Sequence, residues 1–539
     1  MSESPKRSKL ELALSILIIA VLLCNLLAFA VLNFGGFAQF CTTDMYEDTL
    51  VARLIWEQKT LFPSNYLFGN QFYVIATPVL AALLYGITGS MNLSMALATT
   101  VMSILILLSL NWMLKPFVRK AYLRYAALLT LVLSVYGPNT LIREDGQLFF
   151  VMCSFYACYL ITFFYLMGDY ARARESEDLR LPAFILALIL SFCTGMQSLR
   201  QTCVSMLPIL CFEFFLAFLR LIKKSPLWEK GKRMPLIRAG GYLAANAAGV
   251  IFIKLLGVQR NEIYYGQSIF SGASIRDKIS DLHQAIITVS GYDFTRSGNE
   301  PFFIVLFLFL TLLLIAALFI ILRRGDFTSA ASSFWLICVI SIMAVVAASF
   351  VTSVSLRPIY LFPYYTLPAL SFVVVIGKLK PQLKNVLCVL ICVLAFANIH
   401  YSYGEELEKT INPPENTFAQ ISDFAVANGF EYVYGSHSHT APGIAAASDG
   451  KLIAGCWTDD IIFKVSPHIN IKDIYHFDDY SKAIFVFLET EVPLAETEAE
   501  GNGTELTFLG QFGNFYAYST SKQMLYPVSD NIHNFPEYN

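Results

Sequence analysis

The sequence predicts a polytopic α-helical membrane protein of about eleven spanning helices with a C-terminal extracytoplasmic α/β domain. Three observations lead there. Of the 539 residues, 56% are hydrophobic and only 14% charged, with a mean hydropathy of +0.56, which is too apolar for a soluble domain. Apolar runs long enough to cross a bilayer recur between residues 10 and 399. From about Tyr401 the composition becomes that of a water-facing domain. The net charge of −2, with no basic stripe carrying interleaved aromatics, sets nucleic acid aside as a partner. Most of the 11 cysteines, Cys153, Cys158, Cys203, Cys388 and Cys392 among them, lie in apolar runs and serve as small hydrophobes. Cys41 and Cys456 form the one plausible water-side pair, and their separation in sequence gives no reason to join them.

The first run, 10–33, follows Lys6, Arg7 and Lys9. It is longer than the apolar core of a cleaved leader, so it reads as a retained helix entering from the cytoplasm. Further runs fall at 71–89, 91–114, 125–141, 148–167, 182–198, 201–219, 239–256, 301–322, 332–352, 362–377 and 384–399. The run at 71–89 decides the topology. If it lies along the interface rather than across the membrane, the basic loops around Lys115–Arg124, Arg172–Arg180, Arg220–Arg238, Arg323–Arg324 and Lys378–Lys384 all become cytoplasmic. About nineteen Lys and Arg are then inside against roughly seven outside, four of those in one long loop. The expected layout is a multi-pass cell-membrane protein with a cytoplasmic N-terminus and an extracytoplasmic C-terminal domain. Residues 1–400 make the transmembrane domain, with interfacial helices in the outer loop 34–90, and 401–539 make the soluble α/β domain. In the latter, 416–428 reads as a helix, and Glu431–Tyr434, Leu452–Ala454 and Ala483–Leu488 read as strands. Glu505–Tyr518 reads as a hairpin, and Glu496–Gly503 as an exposed turn.

On this topology the distinctive polar groups gather on the outer side. Asp44, Glu47 and Asp48 follow the first helix. If Asp44 to about Lys59 is helical, their i, i+3, i+4 spacing puts them on one face. Three carboxylates cannot sit at mid-membrane, so they belong at or beyond the interface. The same spacing is close to a capping box in which Asp44 caps the helix and Glu47 answers it. A second acidic group, Arg143-Glu144-Asp145 before Gly146, occupies a short outer loop. Read blandly it is a solvated turn; read functionally it suits metal binding or positioning opposite a base. Arg200 and Arg357 stand at outer membrane edges, where a guanidinium can hold a phosphate or merely snorkel. Lys254 is a weaker candidate of the same kind. His437 and His439 alternate as on a strand face, but no third ligand stands near them. No Gly-rich phosphate loop, Gly-x-Ser-x-Gly or His-Glu-x-x-His occurs.

This order of features resembles the GT-C glycosyltransferases, which use polyprenyl-phosphate or polyprenyl-diphosphate sugar donors. The likeness rests on acids soon after the first helix (Asp44, Glu47, Asp48), the Pro-bearing Phe62-Pro63, and an interfacial helix ending in Gly at Leu83–Gly86. It continues with a basic cytoplasmic turn, an acidic second outer loop ending Asp145-Gly146, the late Arg357-Pro-Ile-Tyr360-Leu-Phe-Pro363, and a C-terminal outer domain. It is similar to the bacterial relatives of protein O-mannosyltransferases and aminoarabinose transferases, although Asp-Met-Tyr-Glu-Asp replaces their adjacent Asp-Glu pair. The Trp-Trp-Asp-Tyr-Gly signature of oligosaccharyltransferases is missing, and Cys456-Trp-Thr-Asp-Asp460 is only a faint echo of it.

The resemblance implies an inverting transfer on the outer face, from a polyprenyl-phosphate-linked sugar to a glycan, lipid or protein acceptor. Asp44 or Asp48 would be the base, with Glu47 beside them, and Asp145 and Glu144 would position acceptor or metal. Arg143, Arg200 and Arg357 would hold donor phosphate. No cofactor is demanded, and a divalent metal ion stays open. Specificity would reside in the outer domain and in the 257–300 loop, with Tyr264, Tyr265, His283 and Tyr292. The competing readings are a transporter or flippase for lipid-linked glycans, a polymerase or ligase, and an inactive scaffold. The flippase would call for mid-membrane charges and an inverted repeat; the polymerase or ligase would not need the acidic first loop.

Overall fold

A computed structural model describes residues 9–69, 71–136, 145–175, 181–222, 233–258, 275–290, 301–325, 327, 329–352, 356–436, 440–458, 461–465, 480–522, 524 and 526–527. Eight helices among these are long and apolar enough to cross a membrane: Lys9–Gly35, Met91–Leu114, Thr202–Ile222, Arg233–Leu255, Pro301–Arg324, Ala330–Val351, Pro358–Ile376 and Pro381–Ile411. The other three expected spans fall on Ala121–Ser134, Ala157–Glu175 and Leu181–Gln197. The first and last of these are 14 and 17 residues long, and the middle one carries Asp169, Arg172, Arg174 and Glu175 in its last two turns.

Three boundaries differ from the sequence reading. The run at 148–167 is broken, because Met152 (φ 59°) and Ser154 (φ 47°) turn left-handed between helix Asp145–Phe149 and helix Ala157–Glu175. The helix expected to end at 399 continues to Ile411, since nothing in His400–Ile411 breaks it: no proline intervenes, and its glycine, Gly404, is accommodated. The 71–89 run is helical only over Thr77–Thr88, opened by Pro78 and closed by left-handed Gly89. Twelve residues rise about 18 Å, too little to cross a bilayer core. Gly86, expected to end this helix, lies inside it. A Cβ there would come within 2.1 Å of the Trp56 ring, so the glycine serves close packing.

Contacts group the chain into two compact units: one of Met1–Phe29, Val101–Leu256 and Gln267–Glu405, the other of Ala30–Thr100, Gly257–Gly266 and Glu406–Asn539. The first is a helical bundle. Helices Leu181–Gln197 and Arg233–Leu255 pack backbone to backbone through two glycines. A Cβ on Gly195 would lie 2.1 Å from the Asn246 carbonyl, and one on Gly249 2.1 Å from that of Phe192. Deep in the same bundle Asp169 pairs with Arg238 and accepts the Tyr242 hydroxyl, with both charged side chains 1% exposed.

The second unit holds the acidic helix and the C-terminal sheet. Its seven strands are β1 (Tyr432–Ser436), β2 (Ile453–Thr458), β3 (Ile461–Val465), β4 (Ala483–Leu488), β5 (Thr507–Phe512), β6 (Phe515–Ser519) and β7 (Tyr526–Pro527). They form one sheet in the order β5-β6-β4-β1-β2-β3-β7. β1 runs parallel to both β2 and β4, while β4–β6 and β5–β6 are antiparallel. Helices Thr417–Ala427 and Thr440–Ala447 connect into this α/β arrangement, and Tyr434, Trp457, Phe463, Phe485 and Phe487 stack in its core. Glu496–Gly503 is not the expected turn. Most of it belongs to helix Val492–Gly501, which buries Ala495 and Ala499 one turn apart. Cys41 and Cys456 are both buried and unbridged.

Candidate functional site

In the second unit, helix Thr43–Gln58 begins at Thr42, whose hydroxyl accepts the Met45 amide at 3.4 Å. Thr42 is therefore the N-cap, and Asp44 stands inside the first turn. The Asp44–Glu47 capping box does not form. An exposed carboxylate is left at the positive end of the helix dipole, where negative charge is favoured.

The other two acids of the cluster point into protein. Glu47 is 9% exposed and accepts the Tyr66 hydroxyl at 2.9 Å. Asp48 is 2% exposed and hydrogen-bonded by Tyr73. Burial pushes the Asp48 carboxyl from its ordinary 3.8 up to about 8; the Tyr73 hydrogen bond opposes the shift, and the charges of Asp44 and Glu47 add to it. At neutral pH Asp48 is mostly protonated, while Glu47 holds a tyrosine hydrogen bond. Burial, together with the neighbouring carboxylates, pushes the phenols of Tyr66 and Tyr73 well above their ordinary 10, so both remain hydrogen-bond donors. The i, i+3, i+4 spacing thus yields two chemically different kinds of acid: one exposed at the helix head, two buried under tyrosines.

This helix is anchored to the sheet. The Tyr46 hydroxyl accepts the Ala454 amide at 2.7 Å, and Arg53 donates to the Gly450 carbonyl at 2.6 Å while pairing with Glu57 at 2.7 Å. Separately, Asn92 in the first turn of helix Met91–Leu114 makes two bonds of 2.8 Å, its amide donating to Asp449 and its side chain to the Ala446 carbonyl.

In the first unit, Arg200 lies just before the wide π-turn Thr202–Met206 that opens its helix. Its guanidinium sits over the rings of Tyr156 (5.0 Å) and Tyr360 (5.4 Å), and its amide donates to Ser198 Oγ at 3.2 Å. Ser198 also bonds Tyr159 at 2.9 Å. Arg357 is exposed and precedes the 3-10 turn Pro358–Thr366, and its carbonyl accepts the Tyr360 amide at 3.0 Å. Tyr360 therefore touches both arginines, through its ring for Arg200 and its backbone for Arg357. The Arg200 guanidinium thus lies within cation–π distance of two tyrosine rings.

Asp145 heads helix Asp145–Phe149, while Arg143 and Glu144 lie outside the described residues. So do Tyr264, Tyr265, Tyr292, His437 and His439; His283 is exposed on helix Ile275–Ser290, which the sequence reading had left as loop. Lys254 is exposed in the last turn of its helix. Among the described residues no group of three or more His, Cys, Asp or Glu is arranged to hold a metal ion. The sequence reading missed Tyr66, Tyr73 and Tyr156, and named Tyr360 only within the late Arg357–Pro363 motif. With 28 tyrosines in the chain, no spacing singles these out; only the fold brings them to the acids and the arginines.

No family model matches the sequence, and no curated protein sequence matches it. Among solved structures, ArnT from Cupriavidus metallidurans in the apo state aligns over 95% of this chain and 98% of that chain, with a TM-score of 0.56 and 11% identity. ArnT from the same organism bound to undecaprenyl phosphate aligns over 95% of this chain and 99% of that chain, with a TM-score of 0.56 and 12% identity. Identity this low speaks to fold alone, and on that ground the chain has the GT-C membrane-glycosyltransferase fold seen in ArnT.

Proposed function

We propose that this chain is a GT-C-type glycosyltransferase that moves a sugar from a polyprenyl-phosphate or polyprenyl-diphosphate donor to an acceptor on the extracytoplasmic face. The observation that carries the reading is the likeness, over 95% of the chain, to an ArnT structure bound to undecaprenyl phosphate. Asp44 is the base. It is the exposed acid of the cluster, whereas Asp48 is buried and holds its proton up to about pH 8. Asp44 takes the proton of the acceptor hydroxyl or amine as that atom attacks the anomeric carbon. The bond from that carbon to the phosphate oxygen breaks with inversion, and Arg200 and Arg357 hold the charge of the departing phosphate. Glu47 and Asp48, held by Tyr66 and Tyr73, fix the helix that presents Asp44. Asp145 and Glu144 position the acceptor or a divalent ion.

The reading is tested with purified enzyme and a radiolabelled polyprenyl-phosphate sugar. Asp44→Asn should abolish transfer with expression and melting temperature unchanged. Full activity in both Asp44→Asn and Asp48→Asn would overturn the assignment of the base to either aspartate.

A further inference from the structure

A second polar site lies within the first unit, among residues the transfer reaction does not use. A cavity of about 420 Å³, within the usual range of about 300–1,000 Å³ for small-ligand sites, is lined by Arg119, Lys120, Arg324, Lys378 and Lys384. No Asp or Glu among the described residues lines it. Glu11 pairs with Lys120, so four of the five charges remain without a carboxylate on the wall. The remaining surface is of two kinds. Ala330 and Ala331 open helix Ala330–Val351, whose N-cap Ser329 covers the Ser332 amide at 3.4 Å; the first-turn amides ahead of Ser332 stay available to an anion. Phe117, Leu123, Ile320 and Val374 make the apolar part of the wall.

Basic residues at helix ends commonly do no more than fix topology. Here they converge on one concavity, together with a helix N-terminus and an apolar wall. Helix Pro301–Arg324 ends at this cavity and helix Ala330–Val351 starts there, so it sits where a candidate span meets water. The Lys and Arg bias assigns that face to the cytoplasm.

We propose that this cavity binds the phosphate of an anionic lipid headgroup, with the cations and the helix N-terminus on the phosphate and the apolar wall against the upper part of the chains. Binding there ties together the ends of several spanning helices. It should therefore appear as stabilisation of the folded protein.

The test uses the full-length protein in a neutral detergent, followed by thermal unfolding. Phosphatidylglycerol should raise the melting temperature by several degrees over an equal amount of phosphatidylcholine. The triple variant Arg119→Gln, Arg324→Gln, Lys378→Gln should lose that shift. A control with the same loss of charge outside the cavity, Lys115→Gln, Arg323→Gln, Lys380→Gln, should keep it. If both variants lose the shift equally, or both keep it, the cavity is not the site and the proposal fails. Inorganic phosphate gives the other arm: stabilisation by phosphate alone, lost in the cavity triple, would assign the site to a soluble anion and overturn the lipid assignment. Should the triple variant not fold, Arg119→Gln and Lys378→Gln singly, both at exposed side chains, are expected to reduce the lipid shift, and an unchanged shift in both would overturn the proposal.

Discussion

Asp44 and Asp48 are one helical turn apart and carry the same functional group, yet burial gives them different chemistry. Removing the Asp44 carboxylate should lower turnover by roughly 10²–10⁴-fold, the usual worth of a positioned base, measured as sugar transferred per enzyme at saturating donor. Asp48→Asn replaces a neutral acid by a neutral amide of the same shape, so transfer should stay within about tenfold of wild type. A larger loss in Asp48→Asn than in Asp44→Asn would exchange their roles. Asp48 also makes stability depend on pH. Its carboxyl is raised in the folded state, to about 8 from 3.8, so the folded chain holds the proton more tightly than the unfolded one. This contribution to stability is complete below about pH 4 and is lost as pH rises toward and through 8. Unfolding midpoints from pH 4 to 9 should fall across that window, and Asp48→Asn should flatten the fall. An unchanged slope in the variant would mean that other groups cause it.

At the scale of elements, close approaches and buried charge set the bundle. Gly86 admits the Trp56 ring against helix Thr77–Thr88, so Gly86→Ala should cost about 1–3 kcal/mol by denaturant unfolding, whereas Trp56→Ala with Gly86→Ala should cost little more than Trp56→Ala alone. The Asp169–Arg238 pair joins helices Ala157–Glu175 and Arg233–Leu255. Asp169→Asn or Arg238→Met leaves the other charge buried and should cost about 3–5 kcal/mol. Changing both to apolar residues should restore most of that loss, and additive costs would show that the two charges do not act as a pair. Much of this scale was legible in the sequence. The acidic helix was expected from Asp44 to about Lys59 and runs Thr43–Gln58, and β4 coincides with the expected Ala483–Leu488. The break at Met152 and Ser154 was not legible, because neither residue type signals a left-handed backbone.

For the whole molecule, the grouping of segments departs most from a linear reading. The segment after the first helix and the C-terminal sheet belong to one compact unit, joined by Tyr46, Arg53 and Asn92 reaching Ala454, Gly450 and Asp449. A chain ending after Ile411 removes all three partners. It should lose transfer, and limited proteolysis should then cut between residues 43 and 88; an active truncated enzyme would show that the sheet is dispensable to the acidic helix. The sequence by itself determined the class of protein and the approximate places of most of the apolar helices. Those follow from hydropathy, period and charge, which are local properties of a chain facing lipid or water. Only the tertiary structure decided that Thr42 rather than Asp44 caps the helix, that Asp48 is buried under Tyr73, and that Tyr360 contacts both Arg200 and Arg357. Burial and partner choice depend on residues far apart in the chain, and in a chain with 28 tyrosines no local pattern says which of them meets an acid or an arginine.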